Sequence, residues 1–156
     1  MVKKSYQAGV RDEKNVAKAI LKNQRASLKF SSEIAREIKG KRLDKSVKFM
    51  EDIVAKKRHL PIRVFKKGVP HRKGDAKSYT PAGRYPVGAA NVFLKLLETV
   101  KANADYKGLD AENLIITHIL ASQGFQRISF QSQGKISGKR RKRKSVHLEI
   151  IVREAK

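Results

Sequence analysis

The chain has 156 residues, with 37 lysines and arginines against 14 aspartates and glutamates, so its formal net charge is +23. This length suits one compact domain with an arm or tails, and the charge indicates a polyanionic partner that relieves self-repulsion. Cysteine is absent, which excludes disulfides, thiolate metal sites and cysteine nucleophiles. The sequence has neither an apolar run long enough to span a membrane nor a secretory signal, so we expect a soluble, unexported protein.

The first part of the chain predicts a tail, an edge strand and two helices. Residues 1–15 are polar and are expected to form an N-terminal tail, so that 16–156 form a single domain. The short apolar run 16–21 predicts an edge strand. Apolar residues at helical spacing then predict a helix that ends at Gly40 and a second helix with Asp44 as its N-cap.

Residues 59–85 are predicted to form a long basic loop that is either functional or disordered. Proline and glycine interrupt every periodicity there, while basic residues keep recurring. Loops of this length without secondary structure are uncommon unless they bind something, so we expect contacts with phosphates. The candidate residues are Arg63, Lys66, Lys67, Arg72, Lys73 and Arg84.

The C-terminal half predicts a third helix and a long hairpin. Pro86 suits the first position of this helix, whose apolar stripe comprises Val87, Ala90, Leu94, Leu97, Val100 and Ala104. Residues 114–121 and 146–152 have the composition and alternation of strands. If these strands pair antiparallel and run on to a turn at Gly134, then residues 122–145 form an arm about 40 Å long.

The predicted arm carries the strongest motif of the sequence. Residues 139–144 are six consecutive cations, and residues 125–145 contain no acidic side chain. Because basic excess also recurs elsewhere in the chain, this run favours phosphate binding over a nuclear-localisation patch or a solvated charge run. The candidate contacts are Arg127, Lys135, Lys139, Arg140, Arg141, Lys142, Arg143 and Lys144.

No pattern in the sequence indicates catalysis, a cofactor or a metal. Residues 134–140 resemble a phosphate-binding loop only loosely, because the glycines are one residue too close and Arg140 replaces the Mg²⁺-binding hydroxyl. The four histidines are scattered, without carboxylates at ligand spacing. We therefore expect a protein that is not an enzyme and takes no small-molecule substrate. Without a helix-turn-helix, finger or stacking platform, binding to folded RNA by shape is favoured.

Four stretches resemble the archaeal and eukaryotic form of the ribosomal protein twenty-two family of the large subunit. They are 17–21 leading to 34–41, Gly83-Arg84-Tyr85-Pro86, 93–97 through 103–110, and the strand, basic hairpin and strand that end at Glu154. Together they span 14–154 in order. The resemblance implies an α+β fold, in which three helices pack on a small three-stranded antiparallel sheet and a long basic β-hairpin protrudes.

The resemblance also implies a function in the cytoplasmic ribosome. The protein would bind large-subunit rRNA, contact neighbouring large-subunit proteins, support assembly and extend its hairpin to the nascent polypeptide in the exit tunnel. Lys39 and Lys41 would join the rRNA contacts. The tunnel-facing tip would comprise Phe130, Gln131, Ser132, Gln133, Gly134, Lys135, Ile136 and Ser137. Composition alone leaves open a free nucleic-acid-binding protein, such as a chromatin or regulatory factor.

Overall fold

The computed structural model describes residues 6–9, 14–72 and 80–155. An α+β fold is confirmed, with three helices, a three-stranded sheet and a two-stranded ribbon among these residues. The elements in chain order are β1 (Val16–Gln24), α1 (Leu28–Ile38), α2 (Leu43–Val54), β2 (Leu60–Pro61), β3 (Gly83–Arg84), α3 (Val87–Tyr106), a 3₁₀ turn (Ala111–Asn113), β4 (Leu114–Phe130) and β5 (Arg140–Glu154).

Strand β5 is the centre of the main sheet, which has the order β1-β5-β4 and is antiparallel throughout. Ile150 lies opposite Ala19 on one side and Ile119 on the other, so the apolar residues of the three strands form rows across one face. The prediction of β1 as an edge strand is confirmed. No helix in the described ranges is long and apolar enough to cross a membrane.

The helices cover this apolar face of the sheet. Helix α1 packs on β4 and α3 packs on β1, while α2 lies mainly against α3. The core between these layers is aliphatic except for the buried rings of Phe49 and Phe93. Gly40 ends α1 with a φ of 78°, a conformation that glycine adopts without steric cost. Its N–H donates to the Ile116 carbonyl at 2.8 Å and ties the α1–α2 junction to β4.

Two details of the helix predictions were wrong. Pro86 is the N-cap of α3 and not its first residue, and Asp44 lies inside the first turn of α2, whose N-cap is Arg42. An acidic residue is favourable in that turn because of the helix dipole. The buried face of α3 is also wider than the predicted stripe, because α2 and β1 cover the helix on two sides; it comprises Ala89, Ala90, Phe93, Leu96, Leu97, Val100 and Ala104, with Leu94 half-buried.

Residues 59–85 do not form one continuous exposed loop. His59 to Ile62 are buried, and β2 pairs with β3 to form the small ribbon. The Ile62 N–H donates to the Ala82 carbonyl at 2.9 Å, and the Arg72 N–H donates to the Pro81 carbonyl at 3.0 Å. The loop is therefore closed at its base, which the proline and glycine content of the sequence did not reveal.

The two strands of the arm pair over a shorter length than predicted, and the tip between them consists of turns. Strands β4 and β5 stop at the pair Phe130 and Arg140 and do not run on to Gly134. Between them, the Gly138 N–H donates to the Gln131 carbonyl at 2.7 Å, and both Gly134 and Gly138 have positive φ angles. These two left-handed positions fold residues 131–139 back on themselves, so the strands cannot extend to the apex.

The outer face of the sheet is partly covered by the N-terminal segment. The Gln7 N–H lies 3.2 Å and 3.3 Å from the two carboxylate oxygens of Glu149, to which it donates. Glu149 is buried, and its Oε1 lies 2.9 Å from His118 Nε2. Of the predicted tail, residues 1–5 and 10–13 lie outside the described residues.

Truncating two leucines of α3 should have different effects on stability, because Leu97 is buried and Leu94 is only half-buried. We expect Leu97→Ala to cost about 2–5 kcal/mol of unfolding free energy, because it opens a cavity in the core. Leu94→Ala should cost clearly less, since its side chain is already partly hydrated. Urea unfolding followed by circular dichroism measures both, and equal losses would contradict the assigned burial.

Candidate nucleic-acid interface

The cations of the arm are concentrated on β5, and one of them lies opposite a cation of β4. Arg127 lies directly opposite Arg143, Ile128 opposite Lys142, and Phe130 opposite Arg140. Like charges at directly opposed positions destabilise a strand pair. Within the arm, Arg141 Nε donates to Gln131 Oε1 at 2.8 Å, which leaves the positive charge of Arg141 without an acidic partner there. The arm therefore concentrates positive charge that an external anion would neutralise.

The arm is fixed to the domain at Asn23. The Asn23 N–H donates to His147 Nδ1 at 3.1 Å, and its Oδ1 accepts from the Phe125 N–H at 3.3 Å. Ser145 Oγ lies 3.3 Å from the same Oδ1. Asn23 has a φ of 54°, and the registers of both strand pairs shift beside it. This joint, which we call the arm root, sets where the arm leaves the sheet.

Cations from other parts of the fold meet the arm beside its root. One cleft is lined by Arg25, Phe125, Arg127, Arg143 and Lys144. A second cleft brings Lys29 of α1 and Phe65 of the basic loop next to Lys142 and Lys144. Positive charge from three separate segments is thus focused on one region.

The cations of the basic loop that were predicted to bind phosphates differ in their contacts within the protein. Lys66, Lys67 and Arg84 are exposed. Arg63 forms an ion pair with Glu37 at 3.0 Å. Arg72 lies over the ring of Tyr85, with its guanidinium carbon 6.0 Å from the ring centroid, and its Nε donates to the Gly83 carbonyl at 3.3 Å. Lys73 lies outside the described residues.

The two predicted junction lysines are in different environments. Lys39 is exposed, whereas Lys41 Nζ donates to Glu37 Oε1 at 2.7 Å and lies over the ring of Phe49. Because Glu37 also pairs with Arg63, one carboxylate links the junction to the basic loop. Lys39 is therefore the one of the two whose charge is free of these internal contacts.

A second carboxylate, Glu33 of α1, fixes the course of the basic loop. It is 2% exposed and accepts hydrogen bonds from three successive backbone N–H groups, those of Arg63, Val64 and Phe65, at 2.8–3.3 Å. A buried carboxylate is tolerated only when it is satisfied in this way. No local sequence pattern distinguishes Glu33 from the other carboxylates of the helices.

His59 packs against the ribbon at Gly83. A Cβ atom on Gly83 would lie 2.1 Å from His59 Cδ2, so this position excludes every side chain. Burial lowers the pKa of His59 below its ordinary value, and the charges of Arg72 and Arg58 lower it further. His59 is therefore neutral near pH 7. Within the described ranges no group of three or more potential metal ligands is found.

Sequence reasoning missed several residues that complete this interface. They are Asn23, Arg25, Lys29, Phe65 and Phe125. Arg25 and Asn23 belong to the polar stretch that follows the apolar run of β1, which was a usable signal. Phe125 and Phe65 are large exposed aromatic residues, 73% and 40% exposed, and exposure of that kind is visible only in the folded chain.

The fold and this surface together define a class of protein. It is a basic α+β domain with cations focused on a projecting hairpin, which is the charge arrangement of nucleic-acid-binding proteins. Comparison with known sequences gives the family: residues 19–153 match the model of Ribosomal protein L22p/L17e, and the chain belongs to this family.

Curated relatives agree with that assignment over nearly the whole chain. The large ribosomal subunit protein uL22 of Archaeoglobus fulgidus is 44% identical over 124 residues, which cover 80% of this chain and 79% of the relative. The proteins of the same name from Methanocaldococcus jannaschii and Methanoculleus marisnigri are 41% and 40% identical, each over 99% of this chain and 97% and 99% of the relative. The family resemblance inferred from the sequence is confirmed.

Removing the charge of Glu33 should loosen the basic loop. We expect Glu33→Gln to cost about 1.5–3 kcal/mol of unfolding free energy, because backbone donors lose a charged acceptor. The matched variant Glu37→Gln breaks more exposed ion pairs and should cost less than about 1 kcal/mol. Urea unfolding compares the two, and a larger effect of Glu37→Gln would refute the anchoring role of Glu33.

Acidification should destabilise the fold partly through His59. Its pKa is depressed in the folded state, so the unfolded chain binds the proton more readily. The stabilising contribution is present above about pH 6.5, the unfolded pKa, and is lost as the pH falls through the folded pKa. The loss of unfolding free energy between pH 7.5 and pH 5 should be smaller in His59→Gln than in the parent chain. Equal pH profiles would contradict this role.

Proposed function

We propose that this protein is a structural constituent of the large ribosomal subunit, which binds large-subunit rRNA and supports its assembly without catalysing a reaction. Its arm would extend between rRNA segments, and the tip would line the nascent-peptide exit tunnel. Its partners would be this rRNA, neighbouring large-subunit proteins and the nascent polypeptide. Membership of a ribosomal protein family supports the general role, and the charge pattern of the arm supports the RNA contacts.

The observation that carries the proposal is that the most basic segment lies outside the core. Residues 139–144 are exposed, and they continue the same strand whose other half, from Val146 to Val152, is nearly all buried. An arm of two strands is only marginally stable in water, and opposed arginines make it less so. Phosphates on both sides would remove that repulsion and release counterions.

The distribution of charge along the arm suggests that its strands and its tip contact different partners. The two strands of the arm and their ends carry Arg127 and residues 139–144. Residues 131–138, which form the tip, carry a single charge, that of Lys135. The tip side chains are mostly small or uncharged, and Ile136 is 44% exposed. The basic strands would bind phosphates, and the weakly charged tip would contact a passing polypeptide transiently.

The remaining predicted contacts would position the body of the protein. Lys39, Lys66, Lys67 and Arg84 are exposed. Glu33 and Glu37 hold Val64 and Arg63, which precede Lys66 and Lys67 in the chain. Phosphate contacts fix register and orientation without reading sequence. The body would therefore bind the RNA surface while the arm enters it.

Replacing residues 139–144 by serine should abolish stable assembly. We expect the fold to be retained, because these side chains are exposed, and affinity for the cell's own large-subunit rRNA to fall about 100-fold or more at physiological salt. Filter binding measures the affinity. Sedimentation of extract through a high-salt gradient measures whether the parent and variant chains stay with the large subunit.

A matched control removes the same number of cations from a different surface. These are the exposed residues Lys45, Lys48, Lys56, Lys57, Lys95 and Lys101, each changed to serine. A component docked through its arm tolerates this change far better than loss of 139–144. A free, nonspecific nucleic-acid-binding protein would lose affinity equally in both variants, and that result, or a parent chain found only at the top of the gradient, would refute the proposal.

A further inference from the structure

We propose that the cleft at the arm root binds one unpaired nucleotide of RNA, with its base stacked on Phe125 and its phosphate held by Arg127 and Arg143. This inference rests on the proposed function and adds a specific site to it. It distinguishes a place that recognises a single-stranded base from a surface that only attracts phosphates.

The cleft is large enough to hold a small molecule. Its volume is about 490 Å³, within the roughly 300–1,000 Å³ of typical ligand pockets. It is lined by Asn23, Arg25, Phe125, Arg127, Arg143, Lys144 and Ser145. One aromatic ring, four cations and two neutral polar side chains therefore surround a single space, and no acidic residue lines it.

The cations of the cleft are available to an anion. Arg127 and Arg143 are opposed across the ladder, and among the described residues neither forms an ion pair. The same holds for Arg25 and Lys144. Two neighbouring guanidinium groups repel each other unless an anion lies between them, and phosphate accepts paired hydrogen bonds from arginine. The chemistry of this pair favours a phosphate.

Phe125 gives the site its preference for a base. Its ring is 73% exposed at the edge of a strongly basic cleft, where it gains nothing from core packing. Unstacked RNA bases stack on aromatic side chains in this way, and every base has a suitable face. The other exposed aromatic residue of the arm, Phe130, lines none of the clefts described at the root.

The floor of the cleft is already organised before any ligand binds. Asn23 Oδ1 accepts from the Phe125 N–H, and Ser145 Oγ donates to the Phe125 carbonyl at 2.9 Å. Gly124 permits this close approach, because a Cβ there would lie 2.6 Å from Ser145 Oγ and 2.7 Å from Asn23 Oδ1. A preformed site avoids the cost of ordering its side chains on binding.

An unpaired nucleotide fits this arrangement better than a duplex. Inside an A-form helix both faces of each base are already stacked, so a duplex can offer phosphates to the arginines but no base to Phe125. Loops and bulges of folded RNA present both groups together. The proposed occupant is therefore a nucleotide splayed out of a helix.

Single-stranded and duplex probes test the site directly. The probes are a 12-nucleotide oligouridylate and a 12-base-pair RNA duplex, each titrated with the full chain and its variants. We expect Phe125→Leu to weaken binding of the oligouridylate about 5- to 150-fold, the range for loss of one stacked base, and to leave duplex binding unchanged. Phe125→Tyr should bind as the parent does, and so should the matched control Phe130→Leu.

A second measurement locates the base and guards against misfolding. Ultraviolet cross-linking of the bound oligouridylate, followed by peptide mass spectrometry, should place the uridine adduct at Phe125. Circular dichroism should show unchanged melting for each variant, since the ring buries no core. An adduct only at Phe130 would overturn the inference.

The outcomes separate this inference from the proposed function. If Phe125→Leu weakens neither probe, or weakens both equally, the cleft is an electrostatic surface only and the inference fails, while ribosome binding of the parent chain stands. If Arg127→Gln with Arg143→Gln also leaves RNA binding unchanged, the site takes another anion, such as an acidic peptide, and the inference fails. Loss of the parent chain from the large subunit would refute the proposed function instead.

Discussion

The pairing of β4 with β5 is the interaction on which the rest of the structure depends. One half of this ladder is buried under the helices, where Ile119 lies opposite Ile150, and the other half projects as the arm, where Arg127 lies opposite Arg143. Because a slip of one residue would turn every core side chain outward, the core strongly specifies the register. Together with the register shift between Gln123 and Gln126, this register sets which residues oppose each other on the arm, and it places Arg127 opposite Arg143.

The arm root connects the buried half of the sheet to the basic arm and fixes the position of the arm relative to the core. The registers shift between Gln123 and Gln126 on β4 and between Leu21 and Gln24 on β1, so both edges of the sheet become irregular at the same level. Asn23 occupies this irregularity and hydrogen-bonds to both strands of the hairpin. Irregularities of this kind re-aim a strand and end its pairing. The cleft at the root is a consequence of this geometry.

Buried polar groups fix the position of the basic loop relative to the core. Glu33 holds its backbone from one side, and His59 packs against Gly83 in the ribbon that closes its base. Phe65, whose N–H Glu33 holds, lines a cleft together with Lys142 and Lys144 of the arm. His59 also connects stability to pH, because burial and the charges of Arg72 and Arg58 lower its pKa in the folded state. A chain of net charge +23 thus uses a few of its carboxylates internally and leaves most cations to external anions.

Local pattern was sufficient to predict the three helices, the strands of the main sheet and the arm, because periodicity, turn residues and charge runs act over short distances along the chain. The family was predicted from the resemblance of four stretches to known members. The tertiary structure alone decided the coiled tip, the buried start of the basic loop and the wide core face of α3. It also decided that Glu33 meets Val64, 31 residues away, and that Asn23 meets Ser145, 122 residues away. The physical reason is that these contacts depend on which elements pack together, and a short window of sequence does not contain that information.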